Sequence, residues 1–177
     1  MKTVTLRGEQ PFQEIETGLF DVGISSYFTS LPDKFYMRTI GKDPYVAILR
    51  KGHPYIKSHQ RLEDYLKLKH IRIAVGWGEA GRVDVVLQKK NLHREIVGQL
   101  GDFLAAPLLV EDSDFVLTIP SGLAKTYKKI AKVEIVELPV KVEPLETTMI
   151  WHARTHQDVA QIWFRKCIAD HFKNSNS

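Results

Sequence analysis

Residues 102–124 read DFLAAPLLVEDSDFVLTIPSGLA, and the order of elements in this stretch decides the fold. DFLAAPLLVEDS (102–113) has helical apolar spacing behind Asp102, a residue type that caps helix starts. FVLTIP (115–120) is a short β-branched run with the length of a buried strand. SGLAKTYKKI (121–130) then opens a second helix at Ser121. Helix, strand and helix follow one another without long loops, as in an α/β domain with parallel strands.

The same alternation continues outward in both directions. Upstream, IRIAVGW (71–77) and HREIVGQL (93–100) read as strands around the helix RVDVVLQKKN (82–91). Before them come the strands FYMRTI (35–40) and YVAILRK (45–51), separated by GKDP. HPYIKSHQRLEDYLK (53–67) follows as a short helix with Ser58 as its expected cap. TVTLRG (3–8) alternates like a strand, EQPFQEIETGL (9–19) reads as a helix ending near Gly18, and FDVGI (20–24) as a buried parallel strand. Downstream, VEIVELPV (133–140) and TTMIWHAR (147–154) read as strands and QDVAQIWFRKCIADHF (157–172) as an amphipathic helix. NSNS closes the chain as a frayed tail.

Composition narrows the function. The 177 residues are 44% hydrophobic, enough for one core or two small lobes. No apolar run approaches the roughly 20 residues that span a bilayer. The N-terminus has no apolar stretch of signal-peptide length, so the expected location is the cytoplasm and no membrane partner is expected. A net charge of +4 is spread among mixed signs, and the basic clusters at 67–72 and 88–94 lack interleaved aromatics for base stacking. The single cysteine, Cys167, excludes an internal disulfide and reads as inert packing, and Trp151, Trp163 and Phe164 read as core. His152 and His156 have the i, i+4 spacing of a metal pair. Here they straddle a strand–helix junction with no third ligand nearby in sequence, so neither metal nor cofactor is expected. Gly76, Gly78 and Gly81 follow a strand but no P-loop lysine follows them, and they read as a loop that approaches another ligand or chain. Asp21 and Ser121 have no identifiable base beside them, so the chain does not read as an enzyme.

Four segments, in order, resemble the effector-binding domain of LysR-type transcriptional regulators. ETGLFDVGI (16–24), preceded by Ile15, is similar to the family's segment of an aliphatic residue, Gly, Asp and G/A-I at the end of its second helix. RKGHPYIKSHQRLEDY (50–65) resembles its "HPL … L-x-D-L" segment, residues 102–124 its helix–strand–"LP" segment, and WHARTHQDVAQIWFRKCI (151–168) its final strand and helix. Together they cover nearly all of residues 9–169. Trp151-His152 and the LTIP at 117–120 look most similar to the nodulation-regulator branch, whose inducers are often aromatic.

The resemblance implies a fold like type 2 periplasmic binding proteins: two α/β lobes with a hinge and a ligand cleft between them. Lobe one would hold residues 1 to about 40 and about 142 to 177, lobe two the rest. It implies a small-molecule inducer, possibly aromatic or a carboxylate, sensed at turns after strands. Ile24, Ser25 and Ser26 follow one strand, Val75, Gly76, Trp77 and Gly78 another, and Asp102, Phe103 and Leu104 open a helix. Ser25 and Ser26 would donate hydrogen bonds, and Trp77 and Phe103 would stack on a ring. It further implies a dimer or tetramer in the full-length regulator, with DNA contacted only through a winged helix-turn-helix that this sequence lacks. TVTLRG aligns with the family's second strand, so its first strand and helix are also missing, and the expectation is a fragment or a truncated product. The alternatives are an interaction module that heterodimerises with a full-length regulator and an enzyme on the same fold.

Overall fold

The computed structural model describes residues 2–5, 10–28, 30–73 and 81–175, excluding the side chains of residues 174 and 175. In chain order the elements are α1 (Phe12–Thr17), β1 (Gly23–Ser25), β2 (Phe35–Asp43), β3 (Tyr45–Arg50), α2 (Leu62–Leu66), β4 (Lys69–Ile73), α3 (Arg82–Gln88), β5 (Glu95–Leu100), α4 (Ala106–Glu111), β6 (Val116–Pro120), α5 (Ser121–Tyr127), β7 (Val133–Glu137), β8 (Leu145–His152) and α6 (Val159–Ser175). Short 3₁₀ helices at Pro54–Lys57 and Ala153–Thr155 complete them. The chain divides into two compact units, Met1–Asp43 with Leu145–Ser177 and the continuous span Pro44–Pro144.

The first unit is a three-stranded antiparallel sheet in the order β1-β8-β2. Period-two alternation along β8 splits its apolar residues between the two faces. Met149 and Trp151 pack with Ile40 against Ile168, Ala169 and Phe172 of α6. On the other face Ile150 meets α1 close to Gly23, where a Cβ would lie 3.0 Å from Ile150 Cγ1 and 3.1 Å from Ile15 Cδ1. Gly18 ends α1 at φ 90°, a left-handed conformation that glycine adopts without steric cost.

The second unit is a five-stranded sheet in the order β5-β4-β6-β3-β7. β4 runs parallel to β5 and β6, and β3 antiparallel to β6 and β7. Ile48, Ile71, Leu117 and Ile119 face α4 and α5. Ala47, Leu49 and Val116 face the other way, onto Tyr55 and Tyr65.

Several sequence expectations are corrected. β1 is antiparallel to β8, and among the described residues only β4, β5 and β6 pair in parallel, because the direction of a strand's neighbour is not encoded in its own residues. GKD continues β2, so only Pro44 separates it from β3. Residues 3–5 of TVTLRG are not in a strand, and residues 6–8 lie outside the described residues. Ser58 does not cap α2. It follows the 3₁₀ turn, where its Oγ donates to the Tyr55 carbonyl at 2.8 Å. Trp163 is 66% exposed and Cys167 is exposed, because α6 presents Ile168, Ala169 and Phe172 to the sheet instead.

Candidate ligand-binding site

In the second unit the C-terminal ends of β4, β5 and β6 share one edge of the sheet. Ile73 is level with Leu100, Ile71 with Leu117, and Tyr45 of the reversed strand with Pro120. Loops at this edge of a parallel sheet are where α/β folds bind ligands. Gly101–Ala105 leaves from it and is pinned at two points. Asp102 Oδ1 accepts from the backbone N–H of Leu104 at 2.8 Å and of Ala105 at 3.3 Å, and the Tyr127 hydroxyl donates to the Phe103 carbonyl. The turn therefore holds Phe103 43% and Leu104 86% exposed, an apolar pair displayed on fixed backbone. Asp102 stands four residues ahead of α4, whose capping position is Ala105, so it folds the turn and does not cap the helix as its sequence position suggested. Its carboxylate occupies the N–H groups of Leu104 and Ala105 that an anionic ligand would use. Burial, with the Asp102 charge added, raises the Tyr127 phenol and keeps it a donor.

Val75, Gly76, Trp77 and Gly78 lie outside the described residues. The stem on either side of them is held by a buried polar network that sequence reasoning missed. Arg94 donates from Nε to Asp84 Oδ1 at 2.7 Å, and from one terminal nitrogen to Tyr65 Oη and Thr118 Oγ1, both at 3.1 Å. The Tyr65 and Thr118 hydroxyls are 2.8 Å apart. His70 Nε2 lies 2.9 Å from the Tyr65 carbonyl, which only accepts, so its proton is on Nε2 and Nδ1 faces Arg94 at 3.4 Å. Asp84 also accepts from the Gly81 N–H at 3.2 Å. Burial, reinforced by the Arg94 charge, lowers His70 to about 4. Burial also disfavours the Arg94 charge, but Asp84 and Tyr65 together outweigh it and Arg94 is raised. The side chains of Tyr65, His70, Asp84, Arg94 and Thr118 meet here, and no local spacing signals them.

In the first unit Ile24, Ser25 and Ser26 end β1 beside the start of β8. Ile24 is exposed, Ser25 pairs across the sheet with the buried Thr148, and Ser26 Oγ lies 3.4 Å from Thr147 Oγ1. Ser25 Oγ accepts from the Tyr27 N–H at 3.1 Å, which makes these serines a turn as well as a row of hydroxyls. The Gln10 side chain donates to the Tyr27 carbonyl at 3.3 Å, and its own Oε1 is buried without a partner.

The WHARTH segment is structural. His152 Nδ1 accepts from the Arg154 N–H at 3.3 Å, and His156 Nδ1 accepts from Trp151 Nε1 at 3.1 Å. Arg154 donates to the carbonyls of Ile15 and Phe20, satisfying the end of α1. Among the described residues no cluster of three His, Cys, Asp or Glu side chains could hold a metal ion, and no helix is long and apolar enough to cross a membrane.

Two α/β units joined by two chain crossings, with turns set at the ends of their strands, define a regulatory domain of the substrate-binding kind. The chain belongs to the LysR substrate binding domain family, whose model matches residues 2–173. It is 29% identical over 161 residues to the transcriptional activator NahR of Pseudomonas putida, covering 90% of this chain and 53% of that protein. It is 28% identical over 158 residues to the regulator SyrM 1 of Sinorhizobium fredii, covering 89% and 46%. The chain thus spans about half the length of these curated relatives. Its fold matches the regulatory domain of MexT from Pseudomonas aeruginosa with a TM-score of 0.75 at 22% identity, over 89% of this chain and 76% of that one. It also matches the effector-binding domain of QuiR, solved with shikimate, at 0.67 and 17%, over 92% and 77%. The α/β, periplasmic-binding-protein-like fold expected from the sequence is the fold of these domains. The named relatives are transcriptional regulators.

Proposed function

We propose that this chain is the inducer-sensing part of a LysR-type transcription factor and couples small-molecule binding to the arrangement of an oligomer. The observation that carries the reading is the Gly101–Ala105 turn, pinned by Asp102 and Tyr127 at the C-terminal edge of three parallel strands with Phe103 and Leu104 exposed. Phe103 and Leu104 supply an apolar wall and Ser25 and Ser26 supply hydroxyls, with Ile24 beside them; Val75, Gly76, Trp77 and Gly78 complete the proposed set. The ligand class is a small ring compound, aromatic or bearing a carboxylate, and the solved QuiR–shikimate complex makes shikimate a rational first probe. A ligand favours whichever state of the protein it binds more tightly, in proportion to its differential affinity. In the longer protein the oligomer is a dimer or tetramer, DNA is reached through a separate helix-turn-helix, and the site of action is the cytoplasm. The exposed apolar face of α6, with Val159, Ile162 and Trp163, supports an assembly role.

The test is thermal unfolding with increasing shikimate or benzoate. A ligand that binds only the folded state stabilises it by mass action, by about 2.7 kcal/mol at a hundred times Kd, and so raises Tm. Trp77→Ala is expected to weaken that binding while leaving the ligand-free Tm nearly unchanged. A large fall in the ligand-free Tm would put Trp77 in the core and remove it from the site. No stabilisation by any ring carboxylate, with heterodimers forming on a full-length regulator, would favour the interaction-module alternative.

A further inference from the structure

A cavity lies at the opposite end of the second unit's sheet from the Gly101–Ala105 turn. It measures about 530 Å³ and is lined by the start of β4, the end of α2 and the segments flanking β3 and β6. β4 runs five residues from Lys69 at this cavity to Ile73 at the other edge, so roughly 13 Å separates the two places.

Three features make it a place for a ligand. Tyr55 lines it and is only 4% exposed, yet its hydroxyl is buried without a hydrogen-bond partner. A buried donor left unsatisfied is costly, and a bound acceptor removes the cost. Burial, with Tyr65 and Asp64 beside it, pushes this phenol up to about 12, so it remains a donor. Lys67 and Lys69 line the same cavity, and among the described residues no ion pair or hydrogen bond holds either ammonium group. The acidic residues are unequal. Asp114 is neutralised by Arg50 at 2.7 Å and faces the buried His53 Nε2 at 4.0 Å, which leaves Asp64 against the two lysines. The uncompensated charge is therefore a single positive one. Pro54 and Leu68 add an apolar wall.

We propose that this cavity is a second small-molecule site, selective for a monocarboxylate with a short apolar body. The carboxylate meets Lys67, Lys69 and the Tyr55 hydroxyl, and the body lies on Pro54 and Leu68. A dianion overcharges the site beside Asp64, and a neutral molecule leaves the lysines unanswered.

The ¹⁵N-labelled chain is titrated with sodium hexanoate, with 1-hexanol and disodium adipate as controls. The expected result is saturable shifts at the amides of Tyr55, Leu68 and Lys69, stronger for hexanoate than for either control. Tyr55→Phe is expected to weaken binding about fivefold, a typical loss of one hydrogen bond. It leaves Tm unchanged or raised, since the hydroxyl has no partner to lose. Lys67→Gln, at an exposed position, weakens binding without touching the core. Equal affinity for hexanol, unchanged binding by both variants, or shifts confined to Phe103 and Leu104 would each overturn the assignment. The last result would place the carboxylate at the strand-edge site and leave the inducer reading standing, whereas its converse leaves that reading untouched.

Discussion

His70 is fully buried and neutral in the fold, held by Tyr65 and Arg94. Its folded value near 4 lies below the 6.5 of the unfolded chain, because burial and the guanidinium both oppose a second proton. Between those values the unfolded state binds more protons, so stability rises with pH across the window. The contribution is complete above about 6.5, is lost as pH falls toward about 4, and amounts to about 3 kcal/mol at most. Urea unfolding from pH 7 to pH 4 should therefore show a shallower fall for His70→Gln than for the native chain. His53 is lowered by burial in the same direction, so the difference between the two proteins isolates His70. Identical slopes would mean that His70 is not neutral in the fold. None of this is legible from KLKHIR, which reads as a solvated basic run; the partners that bury His70 arrive at 65, 84, 94 and 118.

At the scale of elements, the DVGI segment shows what a motif means physically. Gly23 has an ordinary backbone conformation, so the glycine answers to space: α1 and β8 leave 3.0–3.3 Å around a built Cβ, from Ile150, Ile15 and Pro11. Gly23→Ala is expected to push α1 off the sheet at a cost of about 1–3 kcal/mol, the usual penalty for overpacking. Urea midpoints measure it, and a loss under about 0.5 kcal/mol would show that α1 shifts freely. Elements whose pattern is set locally were readable. The α1 stop at Gly18 and the 115–120 strand are examples. Those set by a distant partner were not: β1 takes its direction from β8, more than 100 residues later. α6 is apolar on several sides, so its sequence could not say that Ile168 and Phe172, and not Trp163, would meet the sheet. The candidate site divides in the same way. Strand–turn–helix order pointed to residues 102–104, but the Tyr127 hydroxyl that fixes their backbone lies 24 positions away.

For the whole molecule, the two units differ in how the chain supplies them. The apolar clusters around Ile48, around Tyr65 and around Leu87 draw every member from Pro44–Pro144, as does the Arg94 network. The first unit's cluster takes Val22 and Ile40 from one end of the chain and Met149, Trp151 and Ala169 from the other. Its sheet likewise needs β8 between β1 and β2. A continuous span with its own sheet and core satisfies the conditions for an independent folding unit. The excised 44–144 segment is therefore expected to unfold cooperatively in urea, with a slope of about 1 kcal/mol/M as suits a domain of its size. Its aromatic near-ultraviolet signal should vanish in the same transition as its far-ultraviolet signal. A compact product with far-ultraviolet structure, no near-ultraviolet signal and a broad transition would show the opposite, a span whose packing depends on the first unit. The outcome bears on sensing. A unit that holds its own fold lets a ligand act by choosing among arrangements of two finished bodies, whereas a dependent one would make binding and folding a single equilibrium.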